Sequence, residues 1–317
     1  MFLLSMAIFI TLFALPLVAG FLEIVHPNDD GRLAVDNDYM RDPRFFGNSF
    51  RAKIASLLAT DQSVPRTQSF LGRTDERAHV ARCIDVTADA NVAEVLLALD
   101  RIDIADGATV IDAFGKVAAT AGRNVRLRTI SSDGYVELGD GTEVERWVDA
   151  DDRLDVGRGC NLGVSASAGA QARIGSGTSF TRIFGNPVVA IRQGSDAISE
   201  GISPDFSAFD GNVIFEDDAE IEAGAAIAGS VKAHRRLTIG KGATVAGNVI
   251  GRGDVIVGAA ARIDGHAFAE GSLQLDRGAR VGTPRAAKTA YGTTALTLHD
   301  GAMVYGWAIT DGAGRIA

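Results

Sequence analysis

The chain is poor in the residues on which many folds and sites are built. It has two cysteines, seven prolines, four methionines and 7% aromatic residues in 317 positions. Cys83 and Cys160 cannot form a disulfide framework, and neither belongs to a CxxC pair. This excludes a disulfide-stapled module and a thiolate zinc site, and it fits a reducing compartment. Basic charge is short as well: 31 Lys and Arg against 40 Asp and Glu give a net charge of −9. Nucleic-acid binding, which needs a basic face, is not expected. Gly157-Arg-Gly159 and Gly240-Lys-Gly242 look like fragments of nucleotide loops. Neither completes GxGxxG or GxxxxGK[ST]. No catalytic residue, cofactor site or metal site is read from the sequence.

Glycine is plentiful, with 37 residues, and it recurs in a seven-residue phrase: apolar, x, x, turn residue, small residue, x, apolar. Copies begin at Val86, Ile104, Leu138, Val156, Ile174, Ile239, Val257 and Leu275, with a degenerate one at Ala121. First positions at 86, 104, 121, 138, 156 and 174 are 17 or 18 apart, and a second series runs 215, 239, 257, 275 and 298. A fixed period of this length means stacked supersecondary units. Six residues make about one short strand and a corner, so three faces close a coil of about 18 residues. The expected fold is all-β, a single-stranded β-helix. Alternation points Ile104, Leu138, Val156, Ile174, Ile239, Val257, Leu275 and Leu298 inward. Gly, Asn or Asp at the fourth position tolerates a positive φ. Eleven copies would stack to roughly 50 Å.

Residues 1–22 carry no charge, and as a helix they are long enough to cross a bilayer. They are read as a transmembrane anchor, with a cleaved signal peptide as the alternative. Basic residues follow that segment and none precedes it, which places the body in the cytoplasm as a single-pass membrane protein. Residues 23–80 read as a juxtamembrane linker. Within it Asn48 or Ser49 could cap a short helix with Phe50, Ile54, Leu57 and Leu58 on one face. That helix is expected to cover the open first coil, or else to lie at lipid headgroups. A first solenoid block is expected over 81–184, a loop or linker over 185–213, a second block over 214–310 and a tail over 311–317.

The second block supplies a resemblance. Leu237-Thr-Ile-Gly-Lys-Gly-Ala-Thr-Val245, Val255-Ile-Val-Gly-Ala-Ala-Ala-Arg-Ile263 and Leu273-Gln-Leu-Asp-Arg-Gly-Ala-Arg-Val281 share one rhythm with Leu296-Thr-Leu-His-Asp-Gly-Ala-Met-Val304. Over about residues 211–310 this resembles the bactofilins, bacterial polymer-forming cytoskeletal proteins. The resemblance implies a right-handed β-helix that polymerises end to end without nucleotide and positions other proteins at the bacterial inner membrane. The extra block at 81–184 and the anchor depart from the usual short bactofilin.

Four consecutive hexapeptides from Val156 to Ile174 instead resemble left-handed β-helix acyltransferases, the alternative reading. Those enzymes need a histidine as general base in a cleft. None of His26, His79, His234, His266 and His299 lies in that run; His266 and His299 fall beside corners and read as solvated. Asp149, Asp151 and Asp152 read as a solvated acidic corner, with a cation site as the alternative. The C-terminal coil reads as uncovered, so Val304, Tyr305, Trp307 and Ile309 are the candidate assembly interface for a homo-oligomer or polymer.

Overall fold

Local sequence dictates a stack of short strands joined by tight corners, and the computed structural model, which describes residues 42–59, 78–191 and 211–317, has that form. The expected anchor at 1–22, the linker beginning at 23 and most of the 61–80 loop lie outside the described residues. Ala78–Ala81 is already strand. Among the described residues, no helix is long and apolar enough to cross a membrane. The strands form a β-solenoid of about 12 turns with ~18 residues per coil.

In the first block, Ile84 pairs in parallel with Ile102, Ile102 with Ala119, Ala119 with Val136, Val136 with Leu154, and Leu154 with Ala172. Each coil therefore repeats the one before at 17 or 18 residues. In the second block the offset is 18 from Val213↔Val231 to Val249↔Ala267. One coil is longer, with Ala267 opposite Ala290, and its additional residues form a small excursion bridged between Thr283 and Ala286. The block opens one face later than the sequence series has it. Phe215 pairs with Ala233, while Ile221 is the residue in register with Ile239.

The fourth position of each phrase makes the corner. Asp89, Asn124 and Ala260 hold φ of 57°, 55° and 57°, and glycines from Gly107 to Gly301 do the same in the other coils. The small fifth residue is then enclosed: Ala108, Ala243, Ala261 and Ala279 are fully buried. The eight expected core residues, Ile104, Leu138, Val156, Ile174, Ile239, Val257, Leu275 and Leu298, are each at most 3% exposed.

The two blocks meet end to end. Ser179–Ile191 closes the first block and Met303–Ile316 closes the second. They pair antiparallel, with Val188 opposite Val304, Phe184 opposite Trp307, Ile183 opposite Ala308 and Arg182 opposite Ile309. All other named strand pairs are parallel. The C-terminal coil of each block thus satisfies the backbone edge of the other. Two expected boundaries move accordingly: the 185–213 interruption begins as strand to Ile191, and the 311–317 tail is strand to Ile316.

Candidate functional site

Three surfaces of this solenoid stand apart from its repeating exterior: a face covered by a helix, the closed junction, and the two first coils. The helix, Phe45–Ala59, begins before the expected caps Asn48 and Ser49, which lie inside it. It packs along a lateral face of the first block, neither over the first coil nor free. Outward positions on successive coils there mix apolar side chains with buried polar ones, and Phe50 and Ile54, 1% and 2% exposed, sit among Val95, Leu97, Phe114 and Trp147. The Phe50 ring meets Trp147 edge to face at 5.3 Å and Phe114 at 6.4 Å, a favoured aromatic geometry.

Charge locks the same contact. Asp149 is 1% exposed, so it is not the solvated corner expected of it. Arg44 donates from Nε and Nη2 to its two oxygens at 3.1 Å each. Arg51 also pairs with it, and Ser167 Oγ donates to Oδ1 at 2.6 Å. Arg44 reaches Asp151 as well, and Arg51 binds Asp133 at 2.8 Å and the Ser132 carbonyl at 2.6 Å. Burial lowers the Arg44 pKa, but its bonds to Asp149 and Asp151 outweigh that and raise it above the ordinary value. The cation at this cluster is therefore supplied by the chain itself, as two guanidinium groups. A Cβ at Gly47 would overlap the Asp149 carboxylate, so glycine lets the helix backbone approach the sheet.

The expected assembly residues are used within the chain. Val304 is fully buried against the first block, and Tyr305, Trp307 and Ile309 are half-buried. Trp307 packs on Phe184 edge to face at 5.1 Å, and Arg182 lies over its ring at 6.0 Å. The expectation of an open C-terminal coil failed because the sequence of one block does not show that the other ends beside it.

Among the described residues, nothing covers the first coil of each block. Ala81, Ala90 and Val92 at one end are core-facing yet only partly buried, as are Val213, Phe215, Ala219 and Ala225 at the other. No described strand pairs beyond either coil.

The remaining chemical groups are absorbed by the ladder. Thr142 Oγ1, Cys160 Sγ and Thr178 Oγ1 contact the carbonyls of Gly122, Gly139 and Gly157 at 2.9, 3.3 and 3.1 Å. Cys160 thus stands in for a threonine, and burial pushes its thiol pKa up, away from the reactive thiolate. At one corner of the second block each side chain accepts from the next coil's backbone N–H. Asn212 accepts from Ser230, Ser230 from Asn248, Asn248 from His266, and His266 Nδ1 from Thr289 at 3.1 Å. His299 is a surface residue 4.0 Å from Asp276. An open groove beside Arg126, Glu143, Glu145 and Asn161 holds an Arg126–Glu143 pair at 3.5 Å. Among the described residues, no group of three His, Cys, Asp or Glu could hold a metal. No protein-family model, curated protein or solved structure matches the chain.

Proposed function

We propose that this protein is a membrane-anchored structural scaffold of the bactofilin type, a rod that self-associates through its solenoid ends and holds partner proteins at the membrane. The observation that carries the reading is the pair of open first coils. Among the described residues nothing pairs with the outer edge of either, and each surrounds a half-exposed apolar cross-section, which is a template for another chain. The internal junction supports it, since there one coil end of this chain is satisfied by another. The proposed contact moves from the C-terminal coil, closed within the chain, to these first coils.

Charge argues for which ends meet. The first coil of the second block carries Glu216, Asp217, Asp218, Glu220 and Glu222 and no basic residue between 211 and 228. Two such ends repel, whereas the first coil of the other block offers His79 and Arg82 beside its acids. Unlike ends therefore join head to tail, and a heterologous contact of that kind grows a filament. Anchoring through residues 1–22 would tie the filament to the inner membrane from its cytoplasmic side, with the helix at Phe45–Ala59 fixing the rod to its tether. Electron microscopy of the full chain tests this. Filaments are expected, with shortening or loss in Val92→Lys and in Phe215→Lys. Lone rods at high concentration would overturn it. Deleting residues 1–22 is expected to release the protein from membranes.

A further inference from the structure

One face of the second block is unlike the others. On the strands Val213–Phe215, Val231–Ala233, Val249–Gly251, Ala267–Ala269, Lys288–Gly292 and Met303–Ile316, the outward residues in register are Ile214, Lys232, Ile250, Phe268, Tyr291 and Ile309. Five of these six side chains are apolar or aromatic, on the solvent side of the sheet. Ile214 is 63% exposed and Phe268 38%, and the other four are half-buried. Phe268 and Tyr291 stack at 5.0 Å with their planes 15° apart, which flattens the middle of the stripe. Six coils make a strip about 24 Å from first rung to last. An apolar stripe of this kind on the solvent side of a sheet, broken only by Lys232, marks a contact.

The stripe continues the face that the first block buries beneath its helix. Trp307 pairs across the junction with Phe184, Phe184 with Ser167, and Ser167 with Asp149, the residue that holds Arg44 and Arg51. Over the first block this face is therefore raised by a helix about 10 Å thick; over the second no described residue covers it.

We propose that the stripe is the contact surface for the same stripe on a second copy of this chain, packed antiparallel about a two-fold axis. Reversing the order sets Ile214 against Ile309, Lys232 against Tyr291 and Ile250 against Phe268. Each pair is compatible, and the one charge meets an acceptor: the Tyr291 hydroxyl is bonded to the Asp311 carboxylate. The parallel alternative sets Lys232 against Lys232, and it brings the two helices together so that they prop the stripes apart. In the antiparallel arrangement the helices lie beyond opposite ends of the contact and act as stops. A single column of side chains covers far less than the roughly 800 Å² per partner of a stable interface. The contact is therefore weak alone and gains strength between neighbouring filaments through repetition. It does not depend on the coil ends joining.

The test is disulfide trapping with the full chain in a Cys83→Ser background. Lys232→Cys and Tyr291→Cys are made as separate variants, oxidised alone and as a mixture. A crosslinked dimer from the mixture, and none from either variant alone, is expected. Ile250→Lys with Phe268→Lys, both outward and so compatible with folding, is expected to abolish it. A crosslink from Lys232→Cys alone means parallel packing and overturns the proposal. So does absence of any crosslink with wild type that floats with phosphatidylglycerol vesicles while the double-lysine variant does not, which assigns the stripe to lipid. Absence of any crosslink with a lowered melting temperature in the double-lysine variant assigns it to a segment of the same chain, and likewise overturns it. Filaments without the crosslink reject this contact and leave the end-to-end reading standing; lone rods with it do the reverse.

Discussion

The two blocks use one coil to different ends. In the first, strands on the helix-bearing face run to seven or eight residues, as in Asn91–Ala98, Thr109–Gly115 and Glu143–Ala150, and the register slips between Val92 and Val95 and between Leu127 and Thr129. In the second, the parallel strands before the longer coil are two to four residues long and the 18-residue offset holds. The irregular block is the dressed one. Its longer strands broaden one face enough to seat a helix, and buried Asp112, Thr129, Ser131 and Asp149 sit on that face. The regular block carries polar residues such as Glu220, Thr238 and Gln274 on outward strand positions as well as at corners, and no described residue covers its apolar stripe. Repetition alone thus builds a rod, while the departures from repetition in the first block mark where it seats its own helix.

The sharpest way to break the comparison is to strike both cores alike. Val257 and Val136 are both fully buried. Val257→Asp and Val136→Asp should each cost on the order of 4 kcal/mol, because a buried carboxylate lacks a partner. Thermal unfolding followed by circular dichroism checks this, and a variant that melts like wild type contradicts the register. Val304→Lys separates the closed junction from an open interface. It should destabilise the single chain by about 3 kcal/mol or more. If Val304 instead faced another copy, the variant would lose assembly at unchanged monomer stability.

Asp149→Ala has no counterpart in the second block. It strips two partly buried arginines of their shared, fully buried partner, and breaking such a group costs up to about 3–5 kcal/mol. Much of that should appear as local detachment. Limited proteolysis between 43 and 59 should accelerate well before the solenoid melts. Equal protection in wild type and variant would show that Phe50 and Ile54 hold the helix without the ion pairs.

The fold was legible because a coil is local. The fourth-position Gly, Asn or Asp and the apolar first and seventh residues each do one job per turn, and the sequence repeats that job. One copy was overlooked: Ile221-Glu-Ala-Gly224-Ala225-Ala-Ile227 has the full phrase, with Gly224 at φ 72°. Taking Phe215 as the start hid it. The junction was not legible, because nothing in Ser179–Ile191 states which strand lies antiparallel to it more than a hundred residues later. The helix seat left a trace. Val95-Leu-Leu-Ala98 is apolar at consecutive positions, which a strand with one solvated face does not need. Asp149 left none: a carboxylate bound by distant arginines reads the same as one in water.

Corners allow a finer comparison. Among the described alanines only Ala260 holds a positive φ, at 57°, where neighbouring coils use Gly242 and Gly278. A left-handed conformation costs a non-glycine residue about 1–2 kcal/mol, partly offset by the greater chain entropy that glycine loses on folding. Ala260→Gly should therefore stabilise the protein by up to about 1 kcal/mol, and Gly242→Ala should destabilise it by a similar amount. Chemical denaturation midpoints check both signs. A destabilised Ala260→Gly would mean that the methyl group contributes packing.

The smallest effect distinguishes the corner ladder of the second block from the carboxylate and amide corners elsewhere. His266 Nδ1 accepts from the Thr289 N–H, so the ring is neutral with its proton on Nε2. Burial, and then the charge of Lys288, hold its pKa below the ordinary value of 6.5. Between the folded value and about 6.5 the unfolded chain binds the extra proton and the folded chain does not. The contribution to stability is thus complete above the unfolded pKa and is lost as pH falls toward the folded one. Asn248 does the same work one coil earlier without titrating, accepting from the His266 N–H at 2.9 Å. His266→Asn should keep the ladder and remove this pH dependence. Wild type should lose melting temperature relative to His266→Asn between pH 7 and pH 5, with the other four histidines common to both. Parallel pH profiles for the two proteins would mean that the Thr289 amide does not depend on this ring.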